Sequence, residues 1–108
     1  MDHTNPYTFI ANLGDLIEVI QPDSIISRTF YKDKHLKAIL FGFDAEQELS
    51  EHTSSQDAII HILAGEGTIT LDTDSFEVGA GAWVHMQARL KHSVVAHTPL
   101  QMLLLMFD

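Results

Sequence analysis

Cysteine is absent from the 108 residues, which excludes disulfides, thiolate metal ligands and a cysteine nucleophile together. Cations are scarce as well: six Lys and Arg stand against fifteen Asp and Glu, for a formal charge of −9. A field of that sign repels a phosphate backbone, so nucleic acid is not an expected partner. Arg28, Lys32, Lys34 and Lys37 crowd around one turn, and the bland reading of that cluster is a solvated hairpin tip. Long apolar runs are missing too. The longest, Leu103–Phe107 with its neighbours, is far too short to span a bilayer, so no membrane association is expected. The opening residues MDHTNPYTF lack the basic and apolar regions of an export signal, and a cytoplasmic location is the default expectation. No Gly/Ser-rich linker, low-complexity tract or internal repeat divides the chain.

What is present suits one globular domain. The hydrophobic fraction is 45%, and the length allows a single core. NLGDLIEVI (Asn12–Ile20) sets Leu13, Leu16, Ile17 and Ile20 at helical spacing, with Asn12 as cap and Pro22 as terminator. Beyond it the signals are those of strands. Ile25–Tyr31 and Leu36–Phe43 flank the turn KDKH. Glu48–His52, Asp57–Leu63, Gly67–Leu71, Ser75–Val78, Ala82–Met86, His92–Ala96 and Leu100–Phe107 follow, separated by Ser, Asp, Gly and Pro punctuation. Closely spaced short strands after one helical turn predict an all-β sandwich or barrel. Ile59–Leu63 and Leu100–Phe107 are apolar on both faces, so the outer face needs a cover, and a homodimer supplies one.

Two spaced motifs then stand out. From His52 through Ser54 and Ala58 to Gly65, the chain keeps the spacing His-x-His, Glu, Gly, with Ser54 at the second His and Ala58 at the Glu. From Gly81 to His92 and Ala96, GAWVHMQARLKHSVVA keeps a second spacing, with Gln87, Arg89 and Ala96 in place of Pro, Gly and Asn. Those motifs resemble the cupin family, and the flanks SIISRTF…LKAILFGFD and PLQMLLLMF look like those of short single-domain members. The resemblance implies a jelly-roll barrel with a short N-terminal helix: residues 1–23 as lead-in and helix, 24–108 as barrel. It also implies a site inside the barrel, where His52 and His92 hold a divalent transition metal (Fe, Mn, Ni, Cu or Zn) or, with two of four ligands replaced, none.

Strand alternation sets the surroundings that this barrel implies. Ser54, Gln56, Ile60, Ile62, Met86, Met102 and Leu104, with Phe41 or Phe43, are expected to line a ligand pocket that has His52 and His92 at its polar end. His61 lies three residues from Ala58 and turns outward, towards His85, unless a bulge near Gln56–Asp57 reverses the parity and makes it a ligand. Asp57 is a candidate carboxylate, although its ordinary role is to satisfy turn amides. His3, His35 and His97 read as solvated. Gly65–Gly67 is a hairpin turn, since no helix follows to make it a phosphate loop. Two functions fit: a metal-dependent oxygenase or isomerase of a small polar metabolite, and a non-catalytic barrel that binds or senses a small ligand.

Overall fold

Nine strands and one helical turn make up the computed structural model, which describes residues 5–108. The expectation for His3 falls outside the described residues. The strands are β1 (Ile25–Lys32), β2 (Leu36–Phe43), β3 (Glu48–His52), β4 (Asp57–Ala64), β5 (Gly67–Leu71), β6 (Asp74–Val78), β7 (Trp83–Met86), β8 (His92–Ala96) and β9 (Leu100–Phe107). They form two antiparallel sheets, ordered β1-β2-β9-β4-β7 and β3-β8-β5-β6, which face each other as a jelly-roll barrel. Among the described residues no helix is long and apolar enough to cross a membrane.

The period-2 pattern decides which side of each strand is core. Along β4, Ala58, Ile60 and Ile62 are buried and alternate with half-buried Asp57, Ile59 and His61. Phe43, Ile60, Ile62, Met86, Leu100 and Met102 are each at most 2% exposed and belong to one cluster between the sheets. Accessibility that low leaves no water-sized space against these side chains. Of the walls expected for a pocket, Phe43, Ile60, Ile62, Met86 and Met102 are therefore solid core. Of the apolar walls, only Phe41 and Leu104 remain partly open.

The helix expected over Asn12–Ile20 shrinks to one 3-10 turn, Leu13–Leu16. Asn12 does cap it, accepting a hydrogen bond from the Gly14 amide at 3.0 Å. The segment then extends at Ile17, because Gly14 and the β-branched Ile17, Val19 and Ile20 have weak helical preference. Extension also serves packing. Ile17 is buried, and with Ile20 it closes over Gly42, where a Cβ would meet their side chains at 3.1–3.2 Å. The apolar residues form a strap across the outer face of β2. Farther along that face, Ile59, Leu103, Leu105 and Phe107 are half-buried and Trp83 is 61% exposed.

Candidate functional site

β3 and β8 pair antiparallel with His52 opposite His92, so the two imidazoles, 40 residues apart in sequence, become neighbours. Their ring centroids lie 4.2 Å apart at an interplanar angle of 59°. His92 is buried, and His52 is exposed at the lip. Each ring is fixed the same way. His52 Nδ1 lies 2.8 Å from the Ser50 carbonyl, and His92 Nδ1 lies 2.9 Å from the Leu90 carbonyl. A carbonyl only accepts, so both Nδ1 atoms donate, and in the neutral rings both Nε2 atoms carry a bare lone pair. Neither Nε2 bonds to a described residue.

Register builds the mouth around this pair. On the concave face of the larger sheet, Lys32, Lys37, Met106, Ala58 and Met86 follow one another across β1, β2, β9, β4 and β7. The corresponding row of the smaller sheet is His52, His92, Leu71 and Asp74. The loops beyond the histidines are laced together: the Arg89 amide donates to the Ser54 carbonyl at 2.7 Å, and the Ala88 amide to Asp57 Oδ1 at 3.1 Å. Arg89 holds φ at +70°, the left-handed backbone that glycine favours. Arginine thus stands, at the place the motif gives to glycine, in a backbone conformation that glycine favours.

Burial pushes His92 below the ordinary imidazole value of 6.5; the Leu90 carbonyl raises it and His52 lowers it further. A base with a depressed folded-state value favours folding in its neutral form. Its contribution is complete above the unfolded value of 6.5 and is lost as pH falls from there through the folded value. Urea unfolding at pH 7 and at lower pH should show that decline, and His92→Gln should remove this share of it. An identical pH dependence in both proteins would mean that His92 is not desolvated.

The other expected site residues are dispersed. Ser54 Oγ accepts from the Gln56 amide at 3.1 Å, and Gln56 Nε2 is committed to Asp108 at 3.2 Å. Asp57 takes the turn-amide role on the outer face, where its Oδ2 also lies 3.3 Å from His85 Nε2. His61 pairs opposite Trp83 and Leu103 and shares the outer face with His85. The irregularity in the β4–β9 ladder falls between Ile62 and Ala64, beyond His61, so the parity around residue 61 is not reversed. His35 is exposed at the hairpin tip, and the exposed His97 has its Nε2 3.3 Å from Glu77 Oε1 near the opposite end of the barrel.

The donor set bears on the metal that the fold family implies. Ala58, at the glutamate place, offers only a methyl group between Met106 and Met86. Among the described residues no group of three or more His, Asp or Glu is arranged to hold an ion. Two neutral imidazoles leave the charge of a dication uncompensated beside an apolar core, which is not a fit for a tightly held resident metal.

Residues 40–107 match the family described as Cupin domain. No curated protein matches the sequence. Among solved structures, a conserved protein of unknown function from Streptococcus pyogenes is 30% identical, with a TM-score of 0.83 over 100% of this chain and 96% of its own. A Cupin 2 conserved barrel domain protein from Leptotrichia buccalis is 28% identical at TM-score 0.82, with 90% of this chain covering 47% of that longer one. A cupin superfamily protein from Desulfitobacterium hafniense shares the fold at 22% identity and TM-score 0.83, over 94% of this chain and 93% of its own.

Proposed function

We propose a function from one premise, that the chain belongs to the cupin family: its barrel mouth binds a small polar metabolite through the bare Nε2 atoms of His52 and His92, without a resident metal. The observation that carries this reading is the repeated anchoring of Nδ1. It orients two acceptors side by side before any ligand arrives, which reduces the ordering cost of binding. Neutral His92 accepts a hydrogen bond from a ligand hydroxyl or amine, and His52 adds a second from the solvent side. Partly open Phe41, Leu104 and Met106 offer an apolar wall. The solid core below confines the ligand to the lip, and a cytoplasmic location belongs to the same proposal.

The runner-up is a metal-dependent oxygenase or isomerase, favoured by the same two lone pairs. The readings separate on elemental analysis of protein purified without a polyhistidine tag and then offered Fe, Mn, Ni, Cu and Zn. The ligand-binding reading expects trace metal throughout. About one tightly held metal per chain, lost in both His52→Ala and His92→Ala, would overturn it in favour of the enzyme.

We also propose that the outer face of β4, β7 and β9 is covered by a second copy of the chain. Support comes from half-buried Ile59 beside exposed Trp83, on the same face as Leu103 and Leu105, which line a groove with Tyr7, Ile10 and Leu13 of the chain's own N-terminal segment.

A further inference from the structure

We infer that the ligand of the mouth is a small organic anion, a hydroxy acid whose carboxylate is held by Lys37 while its hydroxyl reaches the imidazole pair; this rests on the ligand-binding reading above. Register is the first ground. Lys37 pairs with Met106 on the concave face, in the row that looks across at His52 and His92, and it is half-buried where its neighbours Lys32 and Lys34 are exposed. No ion pair among the described residues occupies it. A half-buried lysine without an ion-pair partner, on the row opposite a pair of hydrogen-bond acceptors, is complementary to a ligand with an anionic end and a donor end.

The distribution of charge is the second ground. In a chain of net charge −9, every lysine and arginine except Arg28 lies at the mouth end, either on the β1–β2 hairpin or in the loop before His92. Asp44, Glu46, Glu48 and Glu66 lie at the opposite end, where no lysine or arginine offsets them. Carboxylates at the mouth do exist. Asp33 is held by the Tyr31 hydroxyl at 2.6 Å and by two backbone amides, and Asp57 by the Ala88 amide and His85; Glu51, Asp72 and Asp74 lack such partners. With Asp108 beside Gln56 included, five cations stand against six carboxylates there, so the mouth is less negative than the rest of the molecule, and that gradient favours the lip over other surfaces for an anion.

The test follows the ring resonances of His52 and His92 by NMR. Gluconate and tartrate are titrated against glucitol and erythritol, their neutral counterparts. The expected result is that an acid shifts the His92 ring and binds at least about tenfold more tightly than its neutral partner. Lys37→Gln should abolish that preference while the amide spectrum remains that of the folded protein. Equal shifts by acid and polyol, unchanged in Lys37→Gln, would overturn the anion assignment and leave the mouth reading standing. If no compound moves either ring, both fall together.

Discussion

Gly65→Ala is expected to lose about 3 kcal/mol or more of folding free energy, a sizeable share of the roughly 5–15 kcal/mol that a domain holds. Gly65 turns the chain from β4 into β5 at φ +88°, a conformation that L side chains rarely adopt. A Cβ there would lie 2.1 Å from the Pro99 carbonyl oxygen and 2.7 Å from Leu100 Cα. Both are backbone atoms, so no rotamer change relieves the overlap. The segment that must shift leads directly into β9, the central strand of the larger sheet, whose Leu100 is fully buried. Gly81 is the control. Its φ is +96°, but nothing lies within 4 Å of its Cβ position, so Gly81→Ala costs only the conformational part, about 1–2 kcal/mol. Urea unfolding of the two variants separates steric overlap from backbone preference. Equal losses would mean that the close approach of Gly65 to Pro99 does not constrain the protein.

That turn was legible in the sequence, and most strands were too, because a barrel with a solid interior imposes a strict alternation. The segment Asn12–Ile20 misled because its spacing fits a helix face and a sheet-covering strap equally well. What decides between them is Gly42, a position on another strand. The pairing of His52 with His92 was accessible only through motif spacing, since their contact is made across a ladder between distant segments. Their tautomers were not accessible at all, because the Ser50 and Leu90 carbonyls that fix them are main-chain atoms. Lys37 was grouped with the hairpin tip by composition, yet a signal was there. Lys37, Ile39, Phe41 and Phe43 share one face of β2, so placing the phenylalanines inward also turns the lysine inward. The filled core escaped notice because periodicity reports which way a side chain points, and volume decides whether space remains.

In sedimentation at micromolar concentration, the wild-type chain is expected to run at twice its 12.1 kDa mass, and Trp83→Glu at once that mass with an unchanged fold. Trp83 is a β7 residue of the larger sheet, opposite His61, and its 61% exposure is out of keeping with a face that also carries Ile59, Leu103 and Leu105. Contact across a two-fold axis uses the same patch on both copies, so one substitution acts twice. A tryptophan anchor commonly contributes 2 kcal/mol or more, and two of them weaken the dimer by about 4 kcal/mol, roughly a thousandfold. Folding should survive, because Trp83 lies outside the buried cluster. Phe76→Glu tests whether any exposed aromatic would serve: Phe76 is 51% exposed on β6, at the edge of the other sheet, and its replacement should leave the dimer intact. A wild-type monomer would remove the proposed cover altogether. Dissociation by Phe76→Glu with persistence of the dimer in Trp83→Glu would move the interface to the smaller sheet, leaving the apolar outer face of β4 and β9 to solvent.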